Sequence, residues 1–327
     1  MTTRTAGAIV LAATLLAGPA ALAAEGALAA PEMIRVPAGA FLMGDDTPGG
    51  GPVREVLLSR DFWLGADEVT NAQYLEALRW AVAAELVMVD AYAVFTWEGG
   101  SRLVLLDLHN SWGEITWDGR ELWLRPAPSE HAHAAFPDGY DPADHPVKNI
   151  TWEGAAAYCD WLNLAAGLPP TYDHGDWQCR TPTPYDAVGW RLPTDAEWER
   201  AARSPDGRPW PWGDTPCDCT RANWDQGCVG WTSPVGSYPP GPDFGGAAFS
   251  DLLGNLWEWV HDRWWEPDPE TVVVDPWGPP TSESRILRGT AWWRYTDDPR
   301  TALRRPFPVD YLGGHVGFRV ARTARDR

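Results

Sequence analysis

Twenty-two tryptophans are scattered through this 327-residue chain among 32 glycines and 31 prolines. No other feature narrows the fold as much. Gly and Pro at that density break helices and strands and mark turns. Indoles spread among them supply large rigid anchors for irregular backbone. The pattern argues for a loop-rich fold of short elements and against a helical bundle. The chain is long enough for one extended core or two smaller ones. Its net charge of -19 makes nucleic acid and anionic membranes poor partners.

Several short elements can be placed. Met33 to Gly44 alternates weakly around one turn and reads as an opening hairpin. Val53 to Leu58 and Phe62 to Leu64 read as strands. Thr70-Asn71-Ala72-Gln73 is a capping box before an apolar stripe at Tyr74, Leu75 and Leu78. Thr151 can cap a helix carrying Ala155 to Leu164. Thr194, three residues before Glu197, caps another helix through Trp198, Ala201 and Ala202. Between residues 85 and 130 the chain offers only short strands or decorated loops. His131 and His133 in that region are expected to be solvent-exposed rather than metal ligands.

The N-terminus reads as a signal peptide over residues 1–23. Arg4 supplies the charge, Ala8 to Leu16 the apolar run, and Ala21-Leu22-Ala23 the small residues of a cleavage site. The mature chain is then secreted or periplasmic, with no integral membrane segment after cleavage. Export permits disulfides. Of the five cysteines, Cys159 lies in a helical apolar pattern and reads as buried. Cys179, Cys217, Cys219 and Cys228 can form two bridges, in connectivities the sequence leaves open. Cys217-Asp218-Cys219 is too tight for the usual zinc spacing.

Seven blocks, in order, resemble the formylglycine-generating enzyme (sulfatase-modifying factor) family. They are Met33 to Gly44, Glu68 to Asn71, His145 to Trp161, Arg191 to Gly213, Gly254 to Val260, Arg288 to Arg305 and Gly317 to Arg319. The resemblance implies an α+β, modified C-type-lectin-like fold, loop-rich, with short twisted sheets and few helices. It implies one domain over 24–327, with a divergent insertion around 80–140.

The block Gly254-Asn255-Leu256-Trp257-Glu258-Trp259 combines a turn glycine, a side-chain amide and a carboxylate, which with backbone carbonyls suit calcium. The resemblance places a structural calcium here, with Glu258 as side-chain ligand and Leu253, Gly254 and Leu256 as carbonyl donors. It places a second site near Asn223, whose aspartate partner aligns with Gly227 unless Asp225 substitutes. The competing reading of Glu258 is a buried carboxylate paired with an arginine.

Chemistry turns on the last segment. The family's oxidase branch holds copper(I) on two cysteines there, and soft thiolates suit that ion. Those positions fall on Arg294 and Pro299, and no cysteine follows Cys228. Copper and ordinary formylglycine-generating chemistry are therefore not expected. The His-x3-His-x-Glu set of the iron-dependent sulfoxide synthases in the family is also missing. A third branch resembles exported proteins of secondary metabolism, including a siderophore maturation factor, and it too lacks the cysteine pair.

Arg288, Arg294, Arg300, Arg304, Arg305 and Arg319 concentrate in an otherwise acidic chain. Arg288, Trp292, Arg294 and Arg304 are the candidates for a groove that takes a peptide or small-molecule ligand. The alternative is internal pairing. His315 is a candidate proton carrier, with a surface histidine the simpler reading. The leading functional expectation is an exported, calcium-stabilised binding or accessory protein without standard formylglycine-generating activity. The alternative is a divergent exported enzyme acting on a peptide or secondary metabolite, as in siderophore maturation.

Overall fold

The computed structural model describes residues 28–203, 207–268, 272–293 and 298–325. The signal segment lies outside them. Among the described residues no helix is long and apolar enough to cross a membrane. The architecture is α+β, with few short helices and several small sheets.

Helix α1 spans Asn71–Ala83, α2 Glu130–Ala135, α3 Trp152–Ala165 and α4 Asp195–Arg203. The caps read from sequence are the caps that form. Thr70 Oγ1 accepts from Gln73 N while Gln73 accepts from Thr70 N, and Thr151 Oγ1 accepts from Gly154 N. Thr194 and Glu197 make the same reciprocal pair at α4. These bonds satisfy backbone donors that a helix start leaves open.

The opening hairpin does not form. Met33–Val36 pairs with Phe62–Gly65, and Gly39–Met43 pairs with Arg54–Leu58 in another sheet. The link Pro37-Ala38-Gly39, with Gly39 at φ +146°, redirects the chain between sheets instead of folding it back. A four-stranded sheet orders Met33–Val36, Phe62–Gly65, Ala321–Thr323 and Trp190–Arg191, all antiparallel. Residues 85–125 add two small sheets, and send Leu105, Leu106, Ile115 and Leu122 into the same core cluster as α1 and α3.

The sheet that matters most orders Arg304–Pro308, Ser284–Arg288, Trp257–Arg263 and Val316–Gly317. Its register aligns Arg304 with Arg288, Arg288 with Glu258, and Glu258 with Gly317. Residues opposite each other across strands present side chains to one face. Three charged side chains therefore share one row, and α4 packs against this sheet.

The tryptophans anchor as expected. Trp152, Trp161, Trp198, Trp231, Trp257, Trp259 and Trp292 are fully buried. Trp152 Nε1 donates to the Val260 carbonyl at 2.8 Å, and Trp259 Nε1 to that of Ile150 at 3.2 Å. Each indole thus ties an α3 entry loop to the charged sheet while satisfying its own N–H. One disulfide forms, Cys219–Cys228. The second bridge does not. Cys179 sits in a separate turn bridged to Tyr172, and Cys217 stays free beside the closed loop. Cys159 is buried, as its pattern implied.

Candidate functional site

The arginines of the last segment face inward. Arg288 is fully buried, with Nε 2.7 Å from Asp195 Oδ1 and a hydrogen bond from Nη2 to Glu199 Oε2. The Arg288–Asp195 contact is an ion pair by distance, without hydrogen-bond alignment. Arg304 Nε donates to Asp195 Oδ2 at 2.8 Å. Asp195 and Glu199 are one turn apart on α4, so both carboxylates reach the arginine row. Burial alone would raise the Asp195 pKa, but the Arg304, Arg288 and Arg54 guanidiniums outweigh it and hold the carboxyl below its ordinary value. Arg300 Nε donates to Asp298 Oδ2 at 2.8 Å, whereas the partners of Arg288 and Arg304 are these helix carboxylates. The sequence signal for them was the acidic pair at helical spacing inside the capping block.

Glu258 takes the next place in the row. Its Oε2 accepts from Arg319 Nε and from Trp198 Nε1, each at 2.8 Å, and its Oε1 accepts from Arg319 Nη2 at 2.8 Å. This is the arginine-paired carboxylate. A carboxylate oxygen has two acceptor sites, so Oε1, with one donor, keeps capacity for a cation. Asn255 at φ +62° and Gly254 at φ +91° bend the turn that precedes it. Glu68 clamps that turn, accepting from Leu256 N at 2.9 Å and from Asn255 Nδ2 at 2.7 Å. Burial pushes the Glu68 pKa well up, and the Asp251 and Glu258 charges add to the shift. Asp251 is pushed up to about 6, also chiefly by burial. The surroundings are thus richer in carboxylate than the single Arg319 can balance. Asn223 is fully buried, and its Oδ1 has no hydrogen-bond partner while Nδ2 donates to Trp231 O and Ser233 Oγ. These oxygens suit a hard, carbonyl-rich calcium shell. Among the described residues no group of three or more His, Cys, Asp or Glu is arranged for a metal ion.

The proposed groove residues are not brought into one groove. Arg288 is internal, Arg304 floors one pocket and Trp292 lines another. Arg294 lies outside the described residues. Pro299, at the second thiol position, is buried, and its carbonyl accepts from Trp210 Nε1 at 2.7 Å.

The pocket at Trp292 has a volume of about 330 Å3 and is lined by Trp112, Trp292, Trp293, Asn110 and the turn 312–315. Trp112 lies 5.6 Å, centroid to centroid, from each of Trp231, Trp292 and Trp293, and His131 stacks on it at 5.2 Å. Trp292 Nε1 donates to the Gly314 carbonyl at 2.9 Å. His131 and His133 are exposed on α2. His315 is not a surface residue. It is 8% exposed, its Nε2 meets the Tyr311 hydroxyl at 2.8 Å, and burial lowers its pKa to about 4. The imidazole is therefore neutral at ordinary pH. Beneath the indoles, Lys148 sits 4.2 Å from the Trp231 ring centroid and pairs with Glu114, which also accepts from Tyr140 at 2.7 Å. Trp112, Tyr311 and Glu114 were not picked out from the sequence, because Trp112 and Glu114 fall in the region of weak pattern.

A family model, the sulfatase-modifying factor enzyme 1-like domain, matches residues 19–324. The formylglycine-generating enzyme of Streptomyces coelicolor is 31% identical, over 94% of this chain and 95% of its own length. A Bos taurus protein named inactive C-alpha-formylglycine-generating enzyme 2 is 28% identical, over 89% of this chain and 88% of its own. Among solved structures, Treponema denticola variable protein 1 matches with a TM-score of 0.63 at 20% identity, covering 89% of this chain and 95% of that one. That likeness shows the fold.

Proposed function

The chain belongs to the sulfatase-modifying factor enzyme 1-like family, and from that premise we propose that it is a divergent exported enzyme acting on a peptide or secondary metabolite seated in the indole-lined pocket. One observation carries the reading. The residues just before the first lost thiol position, Trp292 and Trp293, open into a pocket that also holds a neutral histidine. Family position, cavity and a titratable group coincide there. The indoles would hold planar or apolar parts of the ligand by stacking. His315 would accept a proton from a bound group at a ring nitrogen, with Tyr311 fixing the ring. No step uses paired thiols, since Arg294 and Pro299 stand in their places. We take residues 24–327 as one domain, with 80–140 its insertion.

A binding or accessory protein without turnover is the second reading. What favours it is the extent of internal pairing, since Arg288 is engaged by Asp195 and Glu199, and Arg319 by Glu258. Calcium enters both readings as a structural ion of the 253–258 turn. The Leu253, Gly254 and Leu256 carbonyls, Glu258 Oε1 and, for a second ion, Asn223 Oδ1 would be its donors.

The test uses the exported full chain with a panel of peptides and aromatic metabolites, read by ligand-observed NMR and mass spectrometry. Trp293→Ala should abolish binding while the chain stays folded. His315→Gln should abolish the mass change of the bound compound while binding is kept. Bound compounds that never change mass would defeat the enzyme reading in favour of the accessory one. Copper-dependent oxygen uptake with a thiol peptide would sink both.

A further inference from the structure

Among the described residues, 207–256 contain no helix and no strand. The chain there runs by turns. One covalent tie crosses it, Cys219–Cys228, nine residues apart in sequence. Inside the loop the backbone bonds are local. Arg221 N and Ala222 N donate to the Asp218 carbonyl, and Cys228 N to that of Asp225. A loop without a ladder regains conformational freedom when its tie is cut.

The inner side of this loop reaches the indoles. Asn223 is fully buried, and its Nδ2 donates to the Trp231 carbonyl at 2.7 Å. The Asn223 carbonyl accepts from Asn255 N at 2.7 Å, and the Asn255 carbonyl accepts from Trp292 N at 2.9 Å. A side chain on Gly254, at φ +91°, would come within 2.9 Å of the Asn223 carbonyl oxygen, so loop and turn are in close contact. Trp231 and Trp292 lie 5.4 Å apart, and each is 5.6 Å from Trp112. Two rings of the indole cluster are therefore anchored, within two hydrogen bonds, on one residue of the disulfide loop.

The outer side is open. Cys219 is exposed and Cys228 half-buried. Exposed disulfides are the ones that reductants reach. The other three cysteines are free thiols, so a reductant has this one bridge to act on. Cys217 lies two residues upstream and is half-buried. Burial pushes its thiol up to about 12, so it stays protonated and leaves the bridge intact.

We propose that the Cys219–Cys228 bridge is a redox-sensitive latch on the indole-lined pocket. A dithiol reductant passes two electrons and two protons to the bridge. The S–S bond breaks, Cys219 and Cys228 become thiols, and the dithiol closes to its own disulfide. Asn223 then leaves its partners, Trp231 and Trp292 lose their main-chain anchors, and the pocket loosens while the rest of the fold stands. The effect on a ligand rests on the reading of that pocket as a ligand site. The loosening itself does not.

Amide hydrogen exchange on the full chain, before and after dithiothreitol at one fixed calcium concentration, tests the latch. Peptides carrying the Asn255 and Trp292 amides should exchange about tenfold or more faster after reduction, while α3 keeps its protection. The Cys219→Ser/Cys228→Ser double variant should match the reduced chain, and Cys217→Ser the oxidised wild type. N-acetyltryptophanamide, followed by ligand-observed NMR, should bind the oxidised chain and bind the reduced one about tenfold or more weakly. Unchanged exchange at Asn255 and Trp292 would overturn the latch. So would an equal loss of protection in α3, because the bridge would then hold the whole fold rather than the pocket. Faster exchange with equal probe binding would overturn its control of the ligand. A probe that fails to bind even the oxidised chain would count against the ligand site alone, and the exchange result would still decide the latch.

Discussion

Arg288 and Arg319 each reach carboxylates of α4 or of the strand Trp257–Arg263, with oxygen contacts of 2.7–2.8 Å. A few residues away, Trp112, Trp231, Trp292 and Trp293 pack on one another and still leave a pocket. Trp292 and Trp293 follow directly on the strand that carries Arg288, yet the side chains around Arg288 and Arg319 close on one another while the indoles leave a cavity. The difference follows from what burial demands. A buried guanidinium must be paired, so its surroundings close around it. An indole needs one hydrogen bond and otherwise only contact, so rings can line a cavity without penalty to the fold. The arginine row is therefore scaffold at Arg288 and Arg319, and the aromatic side is where a ligand has access.

The largest effect that would break this comparison is at Arg288. Arg288→Ala leaves Asp195 and Glu199 buried beside a void and should cost about 3–5 kcal/mol, the range for removing one member of a buried pair. At roughly 2–4 °C per kcal/mol for a domain of this size, the melting temperature should fall by about 10 °C. Trp293→Ala, at a half-buried ring, should cost clearly less. If chemical denaturation finds the two variants equally destabilised, the division into scaffold and access is wrong.

Much of the scaffold was legible because its signals are local. Thr70, Thr151 and Thr194 each start a helix within a span of four residues, and Cys159 announced its burial by its neighbours. The arginine cluster was legible as a cluster, but its partners were not, because Asp195 and Glu199 lie about ninety residues upstream of Arg288. The pocket was harder still. Trp112 comes from the segment of weak pattern, and His315 looked exposed beside Gly313 and Gly314, although the chain folds it under Tyr311. The opening hairpin misled because alternation gives strand character, not a strand's partner.

The two regions should also respond oppositely to acid. His315, lowered to about 4 by burial, binds its proton less readily folded than unfolded, where a histidine titrates near 6.5. Its contribution is fully present above about pH 6.5 and is lost as pH falls toward 4. Asp251 has the reverse sign. Raised from 3.8 to about 6, its folded form holds the proton more tightly, so its contribution is present below 3.8 and lost as pH rises through about 6. His315→Asn should flatten the acid-side loss of stability between about pH 4 and 6.5, by up to roughly 1.4 kcal/mol per pH unit. Asp251→Asn should raise relative stability above about pH 6. Denaturation midpoints measured across this window decide the matter, and slopes unchanged in both variants would mean that neither group titrates as its burial implies.

The smallest expected effect tests whether the scaffold side is wholly closed. Glu258 Oε1 accepts one hydrogen bond from Arg319 and keeps a second acceptor site, and the carboxylates Glu68 and Asp251 interact with its charge. Glu258→Gln removes a full charge at nearly constant shape. It also leaves Arg319 poorly paired, so the variant loses stability with or without an ion. Absolute melting temperature therefore cannot separate pairing from coordination. The calcium-dependent difference can, because a ligand stabilises only in proportion to its affinity for the folded state. Calcium should raise the melting temperature of the wild type, chelation should lower it, and both responses should shrink in Glu258→Gln. Equal responses in the two proteins would remove calcium from Glu258 and leave it solely as the partner of Arg319, with the fold and the arginine row untouched. A response that shrinks in Asn223→Ala but not in Glu258→Gln would move the ion to the unpartnered amide oxygen within the Cys219–Cys228 loop.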